Sequence, residues 1–223
     1  MYIGLDAGHT LSGLGTGANS YVSETTKNRE VLKRLSEMLI EKGHKVHNCT
    51  VDKSNSELYD RVTKANSVNI DLFVSLHLNA YSKTNNPKGV ETYHYASSSK
   101  GKQYATAIQN NLVKMVGWKN RGVKTGNFYV LKNTKAPAVL IELGFCDSKA
   151  DMDLWNTETI CKAIFKAITG SEYVNNKPIP SDNPIYRVVI DGKQIGSYRD
   201  INNIINQIRN SIANSKKIEI TRV

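Results

Sequence analysis

Four residues far apart in this chain, His9, Glu24, His77 and Glu142, have the types and settings to carry out hydrolytic chemistry together. Three of them end or interrupt apolar runs: Ile3-Gly4-Leu5-Asp6-Ala7-Gly8-His9, Leu72-Phe73-Val74-Ser75-Leu76-His77-Leu78-Asn79 and Val139-Leu140-Ile141-Glu142-Leu143-Gly144-Phe145. Each run reads as a buried strand that delivers one functional side chain where the strand stops, and in open α/β sheets ligands bind at the carboxyl ends of strands. Glu24, in Ser23-Glu24-Thr25-Thr26, falls where a helix begins, and the helix dipole favours a carboxylate there. Two imidazoles and one carboxylate make a three-ligand zinc set with an open position for water. Zinc draws the pKa of that water towards neutrality. Glu142 is then the candidate acid/base, because a charged group in an apolar strand is out of place unless it is paired or functional.

Each residue alone has an ordinary explanation. A histidine at a strand end is more often a hydrogen-bonded structural residue than a ligand, and a first-turn glutamate is common in any helix. Their conjunction at equivalent ends of separate elements is what points to a site. The other histidines, His44, His47 and His94, lack an acid at useful spacing and are read as non-ligands. Cys146 follows the Glu142 strand with no base at recognisable spacing. It reads as a buried structural thiol.

The elements that must position these side chains alternate from the start. Strands are expected at Tyr2–Asp6, His44–Asn48, Asp71–Leu76, Gly89–Tyr95, Phe128–Leu131 and Ala138–Glu142. Helices are expected at Thr26–Glu41, Ser56–Val68 (with Ser56 as N-cap), Lys100–Met115 and over most of Asp147–Ile168, with Gly43 and Gly170 as stops. This order predicts an α/β fold with a mixed, largely parallel sheet covered by helices. Residues 171–184 hold three of the five prolines and no repeating apolar pattern, and read as a linker between a domain at 1–170 and a smaller one at 185–223. The smaller part predicts β-α-β: a strand at Tyr186–Asp191 closed by Asp191-Gly192, a helix at Tyr198–Ala213 with Ile201, Ile204, Ile205, Ile208 and Ile212 on one face, and a strand at Lys217–Arg222. About 40 residues give little core, so this unit is expected to pair with a second copy of itself or to pack on the larger one.

The 223 residues carry 30 Lys/Arg and 20 Asp/Glu, a formal charge of +10. The excess is spread, +7 in residues 1–170 and +3 in 171–223, with no polybasic block. Such a surface suits anionic polymers in general. No helix-turn-helix, zinc finger or aromatic-basic sheet motif is visible, so nucleic acid is not an expected partner. The glycine-rich loop Leu11–Tyr21 lacks GxxxxGK[ST], which argues against phosphate binding. Three cysteines, an odd count without a CxxC, argue against a disulfide framework or a cysteine zinc site. No apolar run is long enough to span a membrane. Met1–Asp6 passes directly into a strand, so no signal peptide is expected.

The blocks Asp6-Ala7-Gly8-His9, Ser75-Leu76-His77-Leu78-Asn79-Ala80 and Pro137-Ala138-Val139-Leu140-Ile141-Glu142-Leu143-Gly144-Phe145 resemble those of the zinc-dependent N-acetylmuramoyl-L-alanine amidases of the Amidase_3 type. Arg121-Gly122-Val123-Lys124 and Tyr129-Val130-Leu131-Lys132-Asn133-Thr134 fit the same pattern, and the match runs in order over roughly residues 1–170. The resemblance implies a six-stranded sheet with flanking helices, Zn2+ held by His9, Glu24 and His77, and Glu142 as acid/base. The implied reaction is hydrolysis of the amide between N-acetylmuramic acid and L-alanine in peptidoglycan. One departure is Thr10 after His9, where glycine is commoner; another is the short loop Leu11–Tyr21 with no inserted helix, which is more like unregulated lytic enzymes. Asn79, Arg121 and Lys124 are candidate substrate contacts.

Tyr186-Arg187-Val188-Val189-Ile190-Asp191-Gly192-Lys193-Gln194-Ile195-Gly196 resembles the small wall-binding domains of clostridial phage endolysins. That resemblance implies an endolysin or autolysin made in the bacterial cytoplasm and acting on the wall after release, with peptidoglycan and teichoic acid or another wall glycopolymer as expected partners. Two readings of other classes stay open: a zinc peptidase or deacetylase acting on peptidoglycan, and a non-catalytic wall-binding protein.

Overall fold

The computed structural model describes residues 1–174, 185–198 and 201–222. They form two compact units, Met1–Tyr173 and Val174–Val223. Residues 175–184, most of the expected linker, lie outside the described residues.

The first unit is built on a six-stranded sheet: β1 (Tyr2–Ala7), β2 (Lys45–Asn48), β3 (Leu72–Asn79), β4 (Val90–His94), β5 (Asn120–Thr125) and β6 (Ala138–Phe145), in the order β2-β1-β3-β6-β4-β5. β2, β1, β3 and β6 run parallel. β4 is antiparallel to β6, and β5 is parallel to β4. The carboxyl ends of β1, β3 and β6 therefore share one edge of the sheet with the amino end of β4.

Strand alternation decides which side chains share a face. Ile3, Leu5, Leu72, Val74, Leu76, Val139 and Ile141 pack into the larger core, together with Val31, Leu35 and Leu39 of α1 (Glu24–Glu41), Ile108 and Leu112 of α3 (Ser99–Val116), and Ile160 and Ile164 of α6 (Thr157–Thr169). Phe73 and Leu140 belong to the opposite face, beneath Val62 and Ala65 of α2 (Glu57–Asn66) and Val130 and Leu131 of α4 (Tyr129–Asn133). By the same period of two, Asp6, Ser75, His77, Glu91 and Glu142 project to the α2/α4 side. Burying strands on both faces explains their continuous apolar runs, and polar residues on this thinner side stand out.

Capping residues set the helix ends. Ser23 Oγ accepts from Thr26 N at 3.4 Å at the start of α1. Ser98 Oγ accepts from Gly101 N at 3.1 Å before α3, and Asn156 Oδ1 from Thr159 N at 2.9 Å before α6. Gly170 closes α6 with φ 74°, a left-handed cap that glycine adopts without a Cβ penalty. Ser56 stands at the N-cap position of α2 but makes no capping bond; its hydroxyl turns to Ser54 and Asp60.

The structure departs from the expected elements in four places. Residues 129–133 form helix α4, not a strand, and the turn buries the adjacent Val130 and Leu131 against α2 while Asn66 bonds to Asn133 O at 3.0 Å. β5 was not anticipated: it is a polar edge strand, Asn-Arg-Gly-Val-Lys-Thr, with no buried residue. The helix expected over 147–168 is two helices, α5 (Lys149–Asp153) and α6, parted at Leu154–Asn156. The C-terminal unit is β-β-α-β: β7 (Tyr186–Ile190), β8 (Lys193–Tyr198), α7 (Ile201–Ser211) and β9 (Ile218–Arg222), as an antiparallel sheet in the order β8-β7-β9. The turn between β7 and β8 uses Asp191 (φ 48°) and Gly192 (φ 83°), the Asp-Gly pairing that suits a two-residue hairpin. Val188 and Ile204 are buried here, whereas Ile205 and Ile212 are exposed, and Ile212 falls in a 3-10 turn beyond α7.

Candidate metal and active site

His9 lies two residues beyond β1 in the left-handed region, with φ 64°, which non-glycine residues seldom occupy. Its carbonyl is held there by two arginines: Arg61 Nη2 donates at 2.7 Å and Arg29 Nη2 at 3.1 Å. Its Nδ1 lies 2.9 Å from Gly15 O. A carbonyl only accepts, so Nδ1 carries a hydrogen, and Nε2, turned to Glu24, either donates a proton there or, deprotonated, offers its lone pair to a cation. Nε2 stands 3.2 Å from Glu24 Oε1. His77, on β3, brings Nδ1 to 3.3 Å from the same oxygen.

Glu24 opens α1 and is buried at 2 % exposure. Ala18 N donates to Oε2 at 2.9 Å and Leu78 N to Oε1 at 3.0 Å. The helix start, two backbone donors and two imidazoles all favour its ionised form. Burial pushes its pKa up, but the bonds from His77 and His9 and their charges outweigh that and hold it below the carboxylate range. Burial pulls His9 down, and the Glu24 bond and charge, with Gly15 O, leave it above its usual value.

One ligand atom from each of His9, Glu24 and His77 falls within a 4.8 Å group. The separations from Glu24 Oε1 to the two rings, 3.2 and 3.3 Å, match two edges of a tetrahedron about a small ion with bonds of about 2.0–2.1 Å, and the three atoms all lie within 4.8 Å of one another. Two nitrogens and a carboxylate oxygen converging with so little between them call for a cation or shared protons. The donor set therefore fits the zinc expected from the sequence.

Glu142 is the register partner of His77 on neighbouring parallel strands. Its Oε2 is buried and, among the described residues, has no hydrogen-bond partner. Burial, with the charges of Glu24 and Glu91 added and those of His77 and His9 opposing, pushes its pKa up to about 7. That places it where a general acid/base is effective. His9, His77 and Glu142 line a cleft of about 280 Å³ whose other walls include Glu57, Phe128 and Tyr129.

Asn79 and Arg121 do not join this group. Both turn to Glu91: Asn79 Nδ2 donates to Oε1 at 2.7 Å and Arg121 Nε to Oε2 at 2.8 Å, and Lys124 Nζ also bonds to Oε2. Glu91 gave no such contrast in the sequence, since a charged residue beside Val90 in an alternating strand passes as an ordinary outward position, whereas Glu142 interrupts a continuous apolar run. Arg61 pairs with Asp6 and Glu57 and donates to Ala7 O at 2.7 Å; one arginine on a helix gives no sequence signal. The remaining histidines stay apart from the cluster, with His94 Nδ1 at 2.9 Å from Tyr95 O and His47 Nε2 at 3.0 Å from Lys64 O. Cys146 is buried and free, its thiol pushed up to about 11, chiefly by burial.

Residues 3–171 match the family model for N-acetylmuramoyl-L-alanine amidase, Amidase_3. This chain belongs to that family. It is 39 % identical over 158 residues to the endolysin of Bacillus phage SPP1, covering 67 % of this chain and 56 % of the relative. It is 35 % identical over 152 residues to N-acetylmuramoyl-L-alanine amidase LytC of Bacillus subtilis, covering 66 % and 30 %. The catalytic domain of CD27L endolysin, which targets Clostridia difficile, superposes with a TM-score of 0.70 at 34 % identity, over 78 % of this chain and 99 % of that one. The chain spans about half the length of the curated relatives it matches first. In this Amidase_3 chain no described helix is long and apolar enough to cross a membrane.

Proposed function

We propose that this chain is a zinc-dependent peptidoglycan hydrolase that cleaves the amide between N-acetylmuramic acid and L-alanine, acting as a lytic enzyme at the bacterial wall. The observation that carries the reading is the His9–Glu24–His77 cluster beside the unpartnered Glu142 Oε2. Membership of the amidase family and likeness to an endolysin support it.

His9 Nε2, Glu24 Oε1 and His77 Nδ1 would hold the ion. When bound, it would supply Lewis-acid polarisation of the amide carbonyl and acidify water. Glu142 takes the proton from the attacking water as its oxygen bonds to the carbonyl carbon. It then returns that proton to the L-alanine nitrogen as the carbon–nitrogen bond breaks, leaving a lactyl carboxylate and a free amine. The buried position of Oε2 keeps its basicity high and solvent protons away. Asn79, Arg121 and Lys124, gathered on Glu91 next to Glu142 in register, contact the stem peptide. The separate C-terminal unit binds the wall.

The test is product analysis on purified sacculi. New L-alanine amino groups with an intact glycan, abolished by chelation and restored by zinc, are expected. Cleavage within the stem, release of acetate, or binding without cleavage would overturn the reading.

A further inference from the structure

We infer that Glu91 is a positioning residue that holds Arg121 and Lys124 as one receptor for a carboxylate of the substrate peptide just beyond the scissile bond. The inference rests on the proposed amidase reading and deepens it. Glu91 is 3 % exposed, and its two oxygens are fully engaged: Oε1 accepts from Asn79 Nδ2 at 2.7 Å and Tyr93 OH at 3.0 Å, and Oε2 from Arg121 Nε at 2.8 Å and from Lys124 Nζ. Four donors saturate a carboxylate. It has no capacity left for substrate, so its role is exerted through its partners.

The partners are differently placed. Arg121 spends only Nε on Glu91, and among the described residues no acceptor is bonded to its terminal nitrogens. Its guanidinium carbon lies 4.9 Å from the Phe145 ring centroid, a cation–π contact that helps hold the group in place. Lys124 Nζ lies 5.8 Å from the Tyr93 ring, leaving donors unspent. The two side chains are 34 % and 39 % exposed. Without Glu91 two like charges would repel each other; with it they stand together and the trio keeps a net single positive charge. A fixed fork of unspent donors suits a carboxylate in particular.

Register gives the location. Glu91 pairs directly with Glu142 across antiparallel β4 and β6, which sets their Cα atoms roughly 4.5–5.5 Å apart. An extended peptide advances about 3.3–3.6 Å per residue. Arg121 and Lys124 reach Glu91 from β5, one strand and about 4.8 Å further out, so a group they bind lies between about one and three residues from the bond that Glu142 serves. A stem-peptide residue at that reach is held by the receptor when its carboxylate is free and loses that charge-assisted contact when it is a carboxamide.

The experiment compares the full chain on two synthetic muramoyl peptides, one with a free carboxylate at that residue and one with its carboxamide. The wild type is expected to prefer the acid by roughly tenfold in kcat/KM, the worth of about one charge-assisted hydrogen bond. Glu91→Gln and Arg121→Gln are each expected to reduce that ratio to below about threefold, mainly through KM for the acid. Glu91→Asp, which keeps the charge but withdraws it by one methylene, serves if Glu91→Gln does not fold, and is expected to reduce the ratio too. A wild type indifferent to the carboxylate, or a Glu91 variant that keeps the full ratio, overturns the inference. If the wild type cleaves neither peptide, the amidase reading fails, and calorimetric binding of the same pair still decides this one by the same ratio.

Discussion

A Cβ built on Gly8 would stand 2.1 Å from His77 Cε1 and 2.2 Å from its Nε2. The backbone before one metal-type histidine is in this way the wall against which the other ring rests. Any side chain at position 8 must displace the imidazole, because real Cβ atoms do not approach so closely. Gly8→Ala is therefore expected to lower zinc affinity by at least roughly tenfold, the scale seen when the support of a metal ligand is disturbed. Competition with a chromophoric chelator measures this, and unchanged affinity would show that the ring has room to move.

Glu142 is separable from the metal cluster because none of the three ligand atoms belongs to it. Glu142→Gln keeps the shape and removes the basic oxygen. Wall hydrolysis is expected to fall by about 10²–10⁴-fold, the range for loss of a general acid/base, while one equivalent of zinc per chain remains by elemental analysis. Loss of both together would place Glu142 among the ligands.

The pair beneath the site is Arg61 with Asp6, 1 % and 0 % exposed. Besides Asp6, Arg61 serves the carbonyls of Ala7, His9 and Val51. Arg61→Met would leave Asp6 with the Ser75 hydroxyl at 2.7 Å as its remaining side-chain partner. Breaking a buried pair this way costs about 3–5 kcal/mol. Urea denaturation should show that loss, and Asp6→Asn in the same chain should recover part of it. His9 is also expected to leave its left-handed conformation, so zinc affinity falls with stability.

The site was more legible in the sequence than its surroundings. His77 and Glu142 were visible because burial on both faces makes β3 and β6 apolar, so that one polar residue contrasts with its neighbours. Glu24 was visible from the Ser-Glu-Thr-Thr helix start. β5 was not, since an edge strand that buries nothing has no pattern to detect. α4 was misread because Tyr-Val-Leu is β-favouring locally, and packing on α2 overrides that preference in a single turn. β8, with Gly196 and three exposed residues at its start, gave no alternation either. Arg61 and the Glu91 network depend on side chains meeting across elements, which spacing along one chain does not encode.

Metal-free protein should carry a pH signature of Glu142. Its carboxyl is pushed up to about 7, first by burial, then by the charges of Glu24 and Glu91, with His77 and His9 pulling the other way. In the unfolded chain it titrates near 4.3. Between those values the folded state binds more proton than the unfolded state, so the wild type loses stability as pH rises through the window. Above about pH 7 the full penalty of a buried, unpartnered carboxylate is present. Glu142→Gln has no such titration, and its uncharged amide adds a pH-independent offset. His9 and Glu24 titrate in both proteins and largely drop out of the difference. After exhaustive chelation, denaturant unfolding should find the variant gaining on the wild type from pH 5 to pH 8. Parallel stability curves would mean that Glu142 ionises as an ordinary surface carboxylate and lacks the perturbation that fits it for proton transfer.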